Sequence, residues 1–518
     1  MKRKLLFLTT ILFAFLLCCA GVKSARAEVR LADDKIILNG TIKQTMFFRT
    51  QMPGKEYDRY HKTHLDYNRF SYVIEGLFKI KDCPEEQFNL FVGTKYWYEL
   101  APVYDPKLRA GVPDVQRNWY TRAQDRDLLS EAYFDYIRGP FNVRIGQQIV
   151  VWGETDIKRT VDIINPIDVR LGSPGVDSWE EIKLGLFMLR GTYQSPLPGS
   201  LLFELLYIPG DFRPARLPVE ATHYGPNPVD TNPFYPYLAY GVTTWQFEKA
   251  RRDAPGWQLK NYEYGLRVRG FTWNIDWTLL YYDGLYDAPI AKPNVGQATL
   301  DNYFAAGLKG QATQILQYPT YPDEKVFIYP RYRLIGGTAQ TVIPALHNSV
   351  WRLEYFYNFN EPYNVGTDGK SSGIYDWVRR GCFGMGLNWS DKFRIPGWTK
   401  FCDDKMMDVS LTFFYERVFN WNDDIIIAES GRGHRAKAAS SREIAWNVQQ
   451  FMFHQTFMIM YTGSYNTIGK WFLCPIFAYV PGNHWRWELG FPTYGSSERT
   501  NKGLHDKDSV LFRMRYEF

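Results

Sequence analysis

The sequence predicts an all-β chain: a transmembrane up-and-down antiparallel β-barrel of about sixteen strands, with eighteen as the alternative. Three observations predict it. Beyond residue 27 no apolar run is long enough for a spanning helix, although aromatic residues make up 17% of the chain. Stretches of roughly ten residues alternate apolar and polar side chains, the period of a strand with two unlike faces. Residues 510–518 place Val510, Phe512, Met514, Tyr516 and Phe518 on one face, with Arg513, Arg515 and Glu517 on the other. Such a strand leaves an unpaired edge unless the sheet closes on itself, and in a closed membrane barrel its apolar face meets lipid.

The other end agrees. Lys2, Arg3 and Lys4 precede the almost wholly apolar residues 5–22, and Ala25-Arg26-Ala27 supplies a small-x-small pattern before Glu28. Residues 1–27 therefore read as a cleaved secretory signal peptide. An anchoring helix is the competing reading of that run, but no stop-transfer pattern follows. A lipoprotein reading of Cys18 or Cys19 lacks the small residue that should precede the cysteine. Residues 28–518 are then expected to form a single barrel domain. They show no internal repeat of solenoid period and no linker, which weighs against a soluble sandwich or solenoid.

Charge excludes one class of partner. The chain holds 61 basic and 55 acidic residues; the leader takes Lys2, Arg3, Lys4, Lys23 and Arg26, which leaves 56 against 55 and turns a net charge of +6 into +1. A nucleic-acid footprint needs clustered excess charge, so no nucleic acid is expected. Cys83, Cys382, Cys402 and Cys474 show no C-x-x-C spacing, and neither a metal nor a covalent haem or other cofactor is expected. In an oxidising compartment Cys83 and Cys402 could pair.

Taken in order, strands are expected at 36–49, 68–80, 87–99, 128–138, 141–151, 182–194, 201–208, 258–269, 271–282, 324–340, 349–358, 376–390, 404–418, 444–461, 467–480 and 508–518. The first sets Leu38, Ile42, Met46 and Phe48 against Lys43 and Arg49. The second sets Phe70, Tyr72, Ile74 and Phe78 against Arg69, Glu75 and Lys79. Arg138-Gly139-Pro140 is a tight turn by composition, whereas 209–257 is a long Pro- and Tyr-rich loop. Long and short connections alternate, as extracellular loops and periplasmic turns do, and an even count keeps both ends on one side. The alternation from His484 to Leu489 is placed in the last long loop as a strand extension. Counted as a strand, it demands one more and gives eighteen.

The third long loop, 152–181, carries Val161, Ile163, Ile164, Ile167 and Val169. A solvated loop has little use for them, so it is expected to fold inward onto the barrel wall. That offers Glu154, Asp156, Lys158, Arg159, Asp162, Asp168 and Arg170 to the pore. Charges on strands avoid the bilayer, at a cost of about 2–4 kcal/mol at its midplane, so Arg144, Arg267, Arg269, Arg352 and Glu354 are expected to join them inside. Opposed charges across a constriction orient polar solutes and select ions. A loop simply held in shape is the bland reading of Trp152-Gly153-Glu154 and Asn165-Pro166. The basic run from Glu429 to Lys437 is a candidate for anionic solutes or lipopolysaccharide, or a solvated outer loop. His454 reads as a satisfied lumen residue within a strand, and Tyr96, Trp97, Tyr98, Trp273 and Trp277 as interfacial girdles. No nucleophile and base can be placed together, so no catalytic residues and no enzyme are expected.

Two resemblances sharpen this. Phe518 after alternating apolar residues resembles the assembly signature of bacterial outer-membrane barrels, with Phe512, Met514, Tyr516 and Phe518 as the closing strand. That implies the barrel assembly machinery, outer-membrane lipid and lipopolysaccharide as partners. Arg144-Ile145-Gly146-Gln147-Gln148, Trp152-Gly153-Glu154 and Ile164-Asn165-Pro166-Ile167-Asp168 resemble an uncharacterised proteobacterial family of porin-like outer-membrane proteins, a domain of unknown function. Tyr264-Gly265-Leu266-Arg267 and Trp351-Arg352-Leu353-Glu354-Tyr355 resemble two later strands of that family, while the 209–257 loop departs from it. The family implies a barrel channel for small solutes, without fixing substrate or oligomeric state. The expectation is diffusion of small solutes, organic acids or moderately hydrophobic compounds. The alternative is a non-conducting scaffold docking or sheathing a secretion or electron-transfer partner.

Overall fold

Lipid offers a backbone no hydrogen bonds, so every strand that crosses it must be paired on both edges. The computed structural model meets that demand with one closed sheet. It describes residues 28–50, 64–106, 123, 125–155, 160–168, 170, 176–177, 179–216, 253–291, 327–366, 374–394, 406–422, 425–429, 432–435, 439–467, 470–496 and 508–518. The signal-peptide reading of residues 1–27 lies outside them.

The barrel strands are β1 (Ile36–Arg49), β2 (Leu65–Cys83), β3 (Glu86–Glu99), β4 (Leu129–Arg138), β5 (Phe141–Gln148), β6 (Leu186–Gln194), β7 (Leu202–Ile208), β8 (Glu263–Thr272) and β9 (Ile275–Leu285). There follow β10 (Arg331–Ile343), β11 (Ser349–Gly366), β12 (Ile374–Phe393), β13 (Met407–Val418), β14 (Ser440–Met452), β15 (Phe457–Asn466), β16 (Lys470–Tyr479), β17 (Trp485–Gly490, continued by Thr493–Ser496) and β18 (Ser509–Glu517). Each pairs antiparallel with its sequence neighbours. The sheet is closed by β18 on β1, in a register that runs from Thr41 opposite Glu517 to Arg49 opposite Ser509. Beyond it, the Phe518 amide donates to the Gly40 carbonyl at 3.0 Å, so pairing continues to the last residue. Of the sheet's 22 strands, Val29–Leu31, Ile425–Glu429 and Arg432–Arg435 are additions at the rims and β17 is counted in two pieces, which leaves eighteen around the barrel.

Eighteen replaces the primary count of sixteen, for two local reasons. The apolar run 444–461 conceals a hairpin, β14 to β15, whose turn carries Phe453, His454 and Gln455 at φ of 53°, 57° and 61°. None of the three is Gly, Pro, Asn or Asp, so the run gives no compositional sign of a break. His454 accordingly sits in that turn and not in mid-strand. The second strand is β17, which pairs with β18 from Trp485 opposite Tyr516 to Gly490 opposite Leu511.

Alternation sorts the two walls. On β7, Phe203, Leu205 and Tyr207 are exposed on the outer wall, while Glu204, Leu206 and Ile208 are buried inside. The same parity puts Phe512, Met514 and Tyr516 on the outer face of β18, and Leu511 and Arg513 within. Of the aromatic candidates, Tyr96 and Tyr98 face outward, whereas Trp97 is 1% exposed inside the barrel. Trp273, 91% exposed, occupies the tight turn between β8 and β9. The basic run 429–437 contributes backbone pairs to the hairpin of Ile425–Glu429 with Arg432–Arg435; residues 430, 431 and 436–437 lie outside the described residues. Cys402 does too, and with it the proposed pairing to Cys83.

Candidate functional site: a loop strapped across the lumen

Between β5 and β6 the chain enters the barrel. Two residues before β5 ends, Gly146 has a φ of 136° that suits glycine; a Cβ there would stand 2.2 Å from the Ala132 carbonyl of β4. The two ends of the loop are then stapled by Asn165, which is fully buried. Its side-chain oxygen accepts from the Val150 amide at 2.7 Å, and its NH₂ donates to the carbonyls of Gln148 at 3.1 Å and Leu184 at 2.9 Å. Residues 166–168 add a short antiparallel stretch: the Asp168 amide donates to the Ile182 carbonyl at 2.7 Å, and the Leu184 amide to the Pro166 carbonyl at 2.9 Å.

The loop's first half packs on one wall. Val150, Trp152, Val161 and Ile164 join Leu186, Met188, Leu206, Ile208, Leu280 and Tyr282 in one apolar cluster. Trp152 lies over Gly265 of β8, where a Cβ would come within 2.4 Å of its ring, so only glycine leaves room. Its indole N–H donates to Glu204 at 3.0 Å, and the Arg267 guanidinium stands 5.7 Å from its ring centre. Further along, Glu354 of β11 accepts from the amides of Glu154 and Thr155 and from the Thr155 hydroxyl.

The second half packs on the far wall. Val176 enters a separate cluster with Phe47, Tyr67, Cys474, Ile476 and Leu511. Arg513 of the closing strand donates to the Val176 carbonyl at 3.1 Å and to Asp177 at 2.6 Å, and it is also held by Glu488 at 3.0 Å. Lys43 of β1 pairs with Glu181. Between these ends, Arg69 of β2 donates to the Arg170 carbonyl at 2.8 Å. Because β2 and β11 stand nine strands apart in a barrel of eighteen, the Arg69 and Glu354 contacts hold the loop at opposite points of the circumference. The loop therefore folds inward, as its apolar residues led one to expect, and goes further by crossing the lumen.

The charged candidates fall into distinct places. Asp168 and Arg170, 1% and 2% exposed, form a two-pronged pair at 2.8 and 2.6 Å inside the strap instead of an open pore face. Arg216 bridges Asp168 at 3.5 Å to Asp127 at 2.7 Å, and Arg213 holds Asp127 at 2.5 Å. Burial alone would raise the Asp168 carboxyl, but Arg170 and Arg216 hold it well below the usual carboxylate range. Glu181 behaves likewise: against burial, Lys43 and Arg515 lower it to about 2. Glu154 goes the other way, raised by burial and by nearby Asp276. Asp162 is tied to Lys183 at 2.5 Å. Asp156, Lys158 and Arg159 lie outside the described residues.

The strand candidates all point inward. Arg144 reaches Asp135 at 3.2 Å and lies 4.2 Å from the Tyr133 ring centre; Arg267 holds Glu204 at 2.6 Å; Arg269 pairs with Asp276. Arg352 donates to Gln340 at 3.0 Å, Asn388 at 3.0 Å and Ser390 at 3.3 Å, which are neutral partners. Sequence reasoning missed Arg69, Lys183, Arg216 and Arg513 as holders of the loop. Their only signal was a cation on a polar strand face or beside the loop, which does not name its acidic partner.

Space remains beside the strap. A cavity of about 220 Å³ lies between Thr160, Asp162 and Ile163 of the loop and the inner wall of β10 to β13, with Tyr332, Phe356 and Phe414 among its lining residues, together with Glu361 and Glu416.

A family described as a protein of unknown function, DUF1302, matches residues 6–466. No curated protein matches. Among solved structures, the chain is similar to a BenF-like porin from Pseudomonas fluorescens Pf-5, at a TM-score of 0.47 and 9% identity over 95% of this chain and 99% of that one. It is similar to OccAB3 of Acinetobacter baumannii at 0.46 and 9%, over 94% and 100% of the two chains. For Pseudomonas aeruginosa OpdK, solved with vanillate, the values are 0.42 and 6%, over 94% and 98%. The segments that resembled a porin-like family of unknown function meet at Trp152, Gly265 and Glu354, and the family match spans them all: the chain belongs to the DUF1302 family.

Proposed function

We propose that this chain is an outer-membrane channel for the passive or facilitated diffusion of small solutes, with the strap as its constriction. One observation carries the reading: the loop is fixed at opposite points of the wall, yet leaves a cavity of about 220 Å³ beside β10 to β13. A strap fixed across a barrel with space left beside it suits selective diffusion. The aromatic lining, Tyr332, Phe356 and Phe414, suits moderately hydrophobic solutes. Organic acids would find their cation in Arg352, whose partners bear no charge. The two apolar clusters under the strap favour a second reading, a plugged scaffold barrel that docks a periplasmic partner.

Liposome swelling tests the choice. Folded barrel in vesicles should admit neutral aromatic solutes faster than sugars of equal size, and Arg352→Gln should slow aromatic acids more than neutral aromatics. Vesicles that stay tight to every solute, with protein that co-purifies with a periplasmic partner, would support the scaffold and end the channel reading.

A further inference from the structure

The outer wall of β10 to β14 carries arginines where most of a membrane barrel carries none. Arg331 and Arg333 of β10, Arg379 of β12, Arg417 of β13 and Arg442 of β14 all lie on the outward parity of their strands, at the end that bears the long connections. Register brings them together: Arg442 is opposite Tyr415, one outward position from Arg417, which is itself opposite Phe383. Across the sheet, β10 to β14 spans four interstrand steps, roughly 19 Å. Along the same strands, toward the other rim, the outward face turns apolar at once, with Ile335, Tyr355, Phe413 and Ile444 exposed.

The group is fixed in place. Asp283 of β9 accepts from Arg331 at 2.6 Å and from Arg333 at 3.0 Å, so one carboxylate orients two guanidinium groups. Arg331 lies 4.6 Å from the ring centre of Tyr262, Arg379 5.3 Å from that of Trp377, and Arg417 5.6 Å from that of Phe419. Elsewhere on this rim the described outward strand residues are uncharged, with the aromatics Phe48, Tyr207, Tyr465 and Trp471 among them. The cationic sector is therefore local and not a general feature of the barrel's edge.

We propose that this sector is a binding site for the phosphorylated sugar headgroup of lipopolysaccharide. Guanidinium forks match phosphate oxygens in pairs, the aromatic rings suit the level where acyl chains give way to sugar, and the apolar face below accepts the chains. A soluble anion would have no use for that apolar face, and its continuity with the arginines is what favours a lipid. The site rests on the outer-membrane placement of the barrel but not on conduction.

The test uses the full mature chain, folded in lipopolysaccharide-containing micelles, washed in detergent and weighed by native mass spectrometry. The wild-type barrel should retain lipopolysaccharide. Retention should fall about fivefold for each arginine lost in Arg333→Gln, Arg379→Gln, Arg417→Gln and Arg442→Gln, singly and combined. Lipid A lacking one phosphate should be held more weakly, and phosphatidylglycerol should not compete at equal concentration. Arg138→Gln, on the opposite rim, should change nothing, and heat-dependent gel migration reports that each variant is folded. Unchanged retention in the folded fourfold variant would overturn the site, as would equal loss from Arg138→Gln. Mass-resolved dimers that form through this face in place of bound lipid would overturn it too.

Discussion

Asn165 decides whether the strap exists. Three of its hydrogen bonds join residues that flank the loop at Val150, Gln148 and Leu184, so its removal orphans one buried amide and relaxes two carbonyls. An unsatisfied buried group costs about 1–3 kcal/mol. Asn165→Ala should therefore lower the unfolding free energy of the refolded barrel by about that much in urea titration, with Asn165→Asp intermediate. Arg170→Ala should cost more, about 3–5 kcal/mol, because it leaves Asp168 charged and buried. Gly265→Val should leave the barrel closed but expel Trp152 from its seat, seen as a red shift of tryptophan emission. These residues were partly legible: the sequence marked Asn165-Pro166 as a shaped turn and Gly265 as part of a motif. Their partners were not legible, since Asn165 to Leu184 and Trp152 to Gly265 are contacts across the fold that carry no local pattern.

At the scale of elements, the strap packs on the wall at both ends, and ion pairs add to the hold at its far end. Glu181 is lowered from an ordinary 4.5 to about 2 in the folded chain, so its pairing with Lys43 and Arg515 adds stability above pH 4.5. That contribution fades as pH falls from 4.5 toward 2. A cysteine replacing Val176 should thus be shielded from a soluble thiol reagent at pH 7. Brief acid exposure followed by labelling should open it, and Lys43→Met should open it already at neutral pH. Equal labelling at every pH would show that Glu181 does not hold this end. Strand alternation and the apolar residues of 152–181 made the barrel and its infolded loop readable. The missing hairpin was hidden because Phe453-His454-Gln455 turns at positive φ with residues that rarely mark a turn.

For the whole molecule, the closing register of β18 on β1 explains why residues 510–518 alternate as they do. Phe512, Met514 and Tyr516 face outward, and Arg513 uses the inner face to hold the strap. The family segments 144–170, 264–267 and 351–355 are far apart in sequence, and closure of the sheet brings them to one strap. In this chain those segments together build the crossing of the lumen. Single-channel recording in planar bilayers tests that claim most directly, with wild type compared to the double variant Glu354→Gln and Arg513→Gln, which removes one hold from each end of the strap. The account predicts small, discrete steps for the wild type and steps larger by several-fold, with weaker ion selectivity, for the variant. A folded wild-type barrel with no steps, or a variant with the same conductance, would contradict it.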